Sequence, residues 1–218
     1  MTRIIPIYLV VNTSNSMTGR LVEVGHLLDA FQDELLCSPM LGDRVRLCVV
    51  GFSEFAQIVL PLSDLTEIAT LPKLPASQGV RFAPMFDLLT RRTASDVLAN
   101  ISAGNSVDWP MVLIITDCIP NDYGWERAYE ALYRSSRPRM LLFITESEKI
   151  DDETLLDLEE ILSLSALQVL AADKDNSLTG WILDTLMEYV DGLTLSKQTI
   201  YYPEHDTHTG FLIPPEDV

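Results

Sequence analysis

Positive charge is scarce in this chain. Fifteen lysines and arginines stand against 32 aspartates and glutamates, for a formal net charge of −17. A surface of that sign repels nucleic-acid phosphates and anionic lipid, so neither nucleic acid nor a membrane is expected as a partner. Cysteine is also scarce. Cys37, Cys48 and Cys118 are odd in number and widely spaced. They read as reduced thiols of a cytoplasmic protein, not as a disulfide framework or a zinc site. No apolar run reaches the roughly 20 residues that span a bilayer. The apolar opening "MTRIIPIYLVV" has no small-residue cleavage site behind it and reads as a first strand, not a secretory signal.

What is present is an ordinary globular balance, 47% hydrophobic and 22% charged residues over 218 positions. Apolar bursts alternate with helical periodicities. Ile4 to Val11 is the first burst, and Leu21, Val24, Leu28, Phe31 and Leu35 then mark one helix face. "RVRLCVVGF" (Arg44–Phe52) and "AQIVLPL" (Ala56–Leu62) are joined too tightly for a crossover, so they should pair antiparallel. Pro61 cannot donate to a ladder, which puts the second of them at a sheet edge. Phe86, Leu89, Thr93 and Val97 continue as a helix, with Pro84 in its first turn.

"MVLIIT" (Met111–Thr116), "MLLFIT" (Met140–Thr145) and "LQVLAA" (Leu167–Ala172) are unbroken apolar runs, as in strands covered on both faces. Helical spacings follow each. Trp125, Ala128 and Leu132 mark the first, Leu155, Leu158 and Leu162 the second with Asp151 as N-cap, and Ile182, Leu186 and Tyr189 the third.

The order β-α-β-β-α-β-α-β-α-β-α predicts a doubly wound α/β fold. Its sheet should be mostly parallel and six-stranded, with one antiparallel edge strand and helices on both faces. Residues 1–192 form one domain in this reading, and 193–218 a tail rich in proline and acid. In such sheets ligands sit beyond the carboxyl ends of the strands, where strand order reverses. If the first strand and Met111–Thr116 are neighbours, the loops at Asn12 and at "TDCIPND" (Thr116–Asp122) border one crevice.

Three loops carry a resemblance to a known family. The first reads Asn12-Thr13-Ser14-Asn15-Ser16, the last Thr116-Asp117-Cys118, and the middle one "SQGVRFAPMFDLL" (Ser77–Leu89). Together they resemble the von Willebrand factor type A (VWA) family, with its DxSxS loop, its threonine before a middle helix and its T-D-G turn. In length and order the chain is most similar to the cytoplasmic bacterial, tellurium-resistance-associated (TerY-like) branch. The resemblance runs from about Ile4 to Gly192. It implies a Rossmann-like VWA fold and a metal-ion-dependent adhesion site for Mg²⁺ or Mn²⁺ at Asn12, Ser14, Ser16 and Asp117. It also implies a protein partner, with a protein kinase or phosphatase as the associated class.

The departures from that pattern bear on chemistry. Asn12 puts a neutral amide where the family has a carboxylate, and Val80 puts a methyl where it has a hydroxyl. Mg²⁺ wants six oxygens, carboxylates among them. The expected site is therefore degenerate, with no cofactor or only weak Mg²⁺ or Mn²⁺. Ser14 and Ser16 are either ligands or helix caps. Asp117 is expected to accept hydrogen bonds that tie two loops together. Arg81 and Phe82 are the candidate partner anchors; Arg81 as a stand-in for the cation against Asp117 is disfavoured, because side chains alternate along an extended loop and Arg81 turns away if Val80 faces the site. Cys118 is expected to be an inert thiol. His205, Asp206 and His208 read as solvated tail residues, since a structural zinc site needs four closed ligands.

No enzyme is expected. A serine nucleophile needs a base within reach, and none of His26, His205 and His208 falls at the crevice. There is no G-x-S-x-G elbow, phosphate loop or G-x-G-x-x-G. The expected function is a non-enzymatic protein-interaction module in a stress-response or signalling assembly. The alternatives are a module that still binds Mg²⁺ through Ser14, Ser16 and Asp117, a hydrolase using those serines, and a scaffold whose working surface is the Pro61 edge or the tail.

Overall fold

A computed structural model describes residues 2–145, 170–171 and 178–195. Strand β1 (Arg3–Asn12) is buried from Ile4 onward and occupies the centre of the sheet. It leads through a single 3₁₀ turn into α1 (Thr18–Cys37), and a short α2 (Pro39–Gly42) precedes β2 (Val45–Phe52). The hairpin partner β3 (Ala56–Ser63) is followed by a long loop and α3 (Phe82–Ser102). Then come the short β4 (Ser106–Val107), β5 (Met111–Thr116), α4 (Trp125–Ser136) and β6 (Arg139–Ile144). β7 (Leu170–Ala171) and α5 (Leu178–Leu195) complete the described elements.

The sheet runs β3-β2-β1-β5-β6-β7, parallel throughout except that β3 lies antiparallel to β2. This is the expected six-strand path with its antiparallel edge, and Pro61 lies exposed on that edge. One strand was not expected: β4 pairs with Arg3 and Ile4 at the foot of β1. It explains how a proline is tolerated in the central strand. The Ile5 N–H donates toward β2, to the Arg44 carbonyl, so position 6 faces the other neighbour. There the β4 pairing stops at Ile4 and the β5 pairing begins at Ile7, so Pro6 falls where no ladder donor is needed.

The unbroken apolar runs have a simple cause. Alternate residues feed two cores, one on each face of the sheet. Ile5, Ile7, Leu9 and Val11 of β1 join Val45, Leu47 and Val49 of β2 beneath α1 and α5. Tyr8 and Val10 join Cys48, Val50 and Phe52 beneath α3 and α4. The helix faces predicted from periodicity are the buried ones: Val24, Leu28, Phe31 and Leu35 on α1, and Phe86, Leu89, Thr93 and Val97 on α3. The second face also holds a polar contact, in which the Tyr8 hydroxyl donates to Asp96 on α3 at 3.0 Å. Arg92 pairs with the same carboxylate at 2.8 Å.

Helix α5 continues to Leu195, three residues past the end of its apolar periodicity. The helix expected from Leu155, Leu158 and Leu162, its cap at Asp151, and the tail residues His205, Asp206 and His208 lie outside the described residues. Among the described residues no helix is long and apolar enough to cross a membrane.

Candidate functional site

Strand order reverses between β1 and β5. From β1 the chain builds outward to β2 and β3 on one side, and β5, β6 and β7 extend the other. The two strands are parallel neighbours, with Val11 beside Ile115. The loops that leave their carboxyl ends therefore meet at one crevice, as the sequence led one to expect.

Asn12 is the last residue of β1 and is 0% exposed. Its side chain is engaged on both sides. Oδ1 accepts from the Ser14 backbone N–H at 2.9 Å. That N–H can only donate, so the amide oxygen must face it and the amide nitrogen must face the other way. Nδ2 donates to Thr116 Oγ1 at 3.1 Å and to Asp117 Oδ1 at 2.9 Å. Asp117 thus ties the loop after β5 to the loop after β1. Ser14 stands at the cap position of the 3₁₀ turn Asn15–Met17 but makes no side-chain cap bond. Its Oγ lies 2.9 Å from Ser16 Oγ instead. Ser14 is buried and Ser16 exposed. Cys118 sits against this group, with Sγ 3.5 Å from Thr116 Oγ1, and burial pushes its thiol pKa up. Among the described residues no three of His, Cys, Asp and Glu are grouped to hold a metal.

The middle loop reaches the same place. Ser77 forms a parallel bridge with Ser14, and its N–H donates to the Thr13 carbonyl at 2.7 Å. Gly79 has φ +76°, and a Cβ there would stand 3.2 Å from the Glu54 Cβ, so the turn suits glycine alone. Val80 packs against the core beneath α3 and α4.

One expectation about this loop is corrected, that of Phe82 as an anchor. Arg81 does not reach Asp117, as alternation along the loop led one to expect. Its backbone N–H donates to the Ser53 carbonyl at 2.8 Å, and its Nε lies 4.0 Å from Asp122. Phe82 is no surface anchor, being 1% exposed. As the first residue of α3 it turns into the core, edge-on to Phe52 with centroids 5.0 Å apart. Alternation along the loop accounts for both: Arg81 is exposed because its neighbours Val80 and Phe82 point inward.

Asp122 was missed by the sequence reading. Its two carboxylate oxygens accept from the backbone N–H groups of Phe82 at 2.8 Å and Ala83 at 3.0 Å. It caps α3 from a loop 40 positions away, with a negative charge at the positive end of the helix. No local sequence signal announces a cap supplied from so far along the chain. Tyr123 was also missed. It is 99% exposed beside a groove of about 970 Å³ that Arg81, Asp122 and Trp125 also line. Phe55, at the tip of the β2–β3 hairpin, is a second exposed aromatic among the described residues of this end, 73% exposed.

No family model matches the sequence, and neither does any curated protein. Solved structures do resemble the fold. BatB from Bacteroides thetaiotaomicron superposes with a TM-score of 0.56 at 16% identity, covering 86% of this chain and 99% of that one. The pilus adhesin SpaC from Lactobacillus rhamnosus GG gives 0.63 at 13% identity, covering 88% of this chain and 30% of that one. Proximal thread matrix protein 1 from the mussel byssus, in a structure with a zinc-occupied MIDAS motif, gives 0.53 at 16% identity, covering 88% and 48%. At these identities the likeness concerns architecture alone. The chain has a Rossmann-like, VWA-like α/β fold, with its candidate site at the strand-order reversal.

Proposed function

We propose that the chain is a non-enzymatic protein-interaction module of the VWA type, whose metal-ion-dependent adhesion site has degenerated. The observation that carries this reading is the Asn12 side chain. Where the family pattern has a carboxylate, an amide presents its N–H groups to Thr116 and Asp117. A hydrogen-bond donor thereby satisfies the carboxylate that a divalent ion would otherwise neutralise.

The residues present do not fit Mg²⁺ or Mn²⁺. Asp117 is the single carboxylate among the residues that match the motif. The Asn12 oxygen is turned to the Ser14 N–H, the Ser14 and Ser16 hydroxyls face each other, and Val80 offers no oxygen. Six hard oxygen ligands are not assembled by such a set. Catalysis by the serines lacks support for a separate reason. His26, the one histidine among the described residues, is exposed along α1, and a serine without a partnered base is a weak nucleophile.

The face left at the reversal works by shape and hydrogen bonding. Its exposed anchors are Arg81, Tyr123 and Phe55, residue types that carry much of the energy at protein interfaces. A partner of the protein kinase or phosphatase class, within a bacterial stress-response or signalling assembly in the cytoplasm, is what the family resemblance adds. The solved adhesin with this fold supports an interaction role in general terms.

The test is a partner captured from the native host and mapped by hydrogen exchange, with and without chelator. Protection over residues 14–18, 79–83 and 121–127 that is indifferent to chelator supports the reading. Protection confined to the β3 edge, or binding abolished by chelator, contradicts it.

A further inference from the structure

The sheet ends at β3. Its neighbour on one side is β2, and among the described residues no strand lies on the other. Which backbone groups this edge presents follows from the bonds on the far side of β2. There the carbonyls of Arg44 and Phe52 turn to β1, accepting from the N–H groups of Ile5 at 2.9 Å and Thr13 at 2.8 Å. Even-numbered residues along β2 therefore face β1, and odd-numbered ones face β3. Gly51 faces β3, where Gln57 stands opposite it. Ala56 and Ile58, on either side of Gln57, then point their N–H and C=O groups outward, away from the sheet. The Phe55 carbonyl agrees with this alternation, since it accepts from the Ser53 N–H at 2.9 Å inside the hairpin. Neither Ala56 nor Ile58 has an outward backbone bond to any described residue.

An edge of this kind is ordinarily guarded by charge. β3 carries none. Phe55–Ser63 is uncharged between Glu54 and Asp64, in a chain with 22% charged residues and a net charge of −17. Pro61 is a guard, but it lies past the irregularity that breaks the β2–β3 register after Ile58. Ala56–Ile58 is left as a short, regular and unguarded ladder. Ala56 and Ile58 pack against the core beneath α3 and α4, while Gln57 is exposed on the opposite face.

We infer that β3 is a self-association edge, on which a second copy of this chain pairs antiparallel about a two-fold axis at Gln57. The segment is complementary to itself in that arrangement. Ala56 exchanges both backbone bonds with the partner's Ile58, and Ile58 does so with the partner's Ala56. The two Gln57 residues meet on the axis as a non-hydrogen-bonded pair, with Cα atoms about 4.5 Å apart, where each amide can both donate and accept. Charge selects this occupant. Two chains of −17 repel over most of their surfaces, and an uncharged strip lets them approach without like charges in contact. A basic partner would be drawn to the acidic surface, not to a neutral edge. A ladder this short belongs with interfaces below ~1,200 Å², so the dimer is reversible. The contact needs nothing but the chain itself and does not rest on the reading of the strand-order reversal.

Sedimentation equilibrium of the full chain, over a range of concentrations at low and at high salt, tests the inference. The expected result is a monomer–dimer equilibrium, closed at two, that strengthens with salt as the repulsion is screened. Gln57→Lys puts like charges on the axis and should weaken the dimer about tenfold or more, although it makes the chain less negative. Gln57→Glu should do the same. An equal mixture of the two variants should pair again, since lysine then meets glutamate across the axis. Gln57 is exposed, so both variants should melt as the wild type does. A monomer at every concentration would overturn the inference, whether amide exchange at Ala56 and Ile58 is fast or is slowed by another part of the same chain covering the edge. So would oligomers that grow past two, a dimer indifferent to the substitutions, or a mixture that pairs no better than either variant alone.

Discussion

The Asn12 amide nitrogen lies 2.9 Å from Asp117 Oδ1, and this one hydrogen bond joins the loops at the two central strands. Its donor is neutral and its acceptor is charged. Reversing that relationship is the sharpest perturbation available. Asn12→Asp places two carboxylates where a donor met an acceptor and also removes the donor to Thr116. The variant should lose on the order of 2–4 kcal/mol of stability in metal-free buffer, and millimolar Mg²⁺ should recover part of it. Thermal unfolding with and without Mg²⁺ reads both effects. A variant as stable as wild type in chelator would show that the two side chains do not meet.

Phe82 and Tyr123 should separate stability from binding. Phe82→Ala opens a cavity beside Phe52 and Phe86 and should cost about 3–5 kcal/mol. Tyr123→Ala removes an almost fully exposed ring and should change stability by no more than about 0.5 kcal/mol. Partner affinity should respond the other way, falling about tenfold or more for Tyr123→Ala. Denaturant unfolding alongside a binding titration checks the pair. Equal affinity of wild type and Tyr123→Ala would remove that residue from the interface.

Asp122→Ala should weaken the start of α3. Two backbone N–H groups lose their acceptor, at a cost of about 1–2 kcal/mol. Hydrogen exchange should quicken at Phe82 and Ala83 before it does at Leu89, deeper in the helix. Asp122→Asn keeps one acceptor oxygen and should fall between the two.

Much of this architecture was legible in the sequence because period and length are local signals. The runs Met111–Thr116 and Met140–Thr145 are too apolar to be covered on one face only, and α1 and α3 show their buried faces at three- and four-residue intervals. The position of the site followed from the order of those elements. What was hidden depends on contacts between distant segments. Strand β4 is two residues long, too short for any periodicity, and exists because the foot of β1 needs a neighbour. The burial of Phe82 could not be told from exposure by residue type, since the loop's alternation is set by Ser53 and Asp122, 28 positions before Arg81 and 40 after Phe82. The departure of Asn12 from the resembled pattern was visible, but the direction its amide faces came only with the Ser14 N–H.

Alkaline stability should be limited by the second core. Burial pushes the Tyr8 phenol and the Cys48 thiol up, the thiol to about 12, with the nearby Asp96 charge adding to both. Burial raises Tyr189 to about 12 as well. In the unfolded chain the same groups ionise near their ordinary values of 9.0 and 10.0. Their contribution to stability is therefore intact below about pH 9 and is lost as pH rises toward the raised values. The protein should unfold cooperatively above pH 10, with the phenolate absorbance of the buried Tyr8 and Tyr189 appearing together with the loss of secondary structure. Phenolate appearing from all the tyrosines before any unfolding would contradict the burial. On the same grounds a thiol reagent at pH 8 should modify the exposed Cys37 and spare Cys48 until the chain is unfolded.

The central claim is that a side-chain amide has taken over the role of a metal at the strand-order reversal. Calorimetric titration of the full wild-type chain with Mg²⁺, and separately with Mn²⁺, tests it most directly. The account predicts no saturable heat at millimolar ion in the wild type, a weak one-to-one isotherm only after Asn12→Asp, and a tighter one when Val80→Thr is added. A tight one-to-one isotherm in the wild type, abolished by Ser14→Ala or Asp117→Ala, would contradict it.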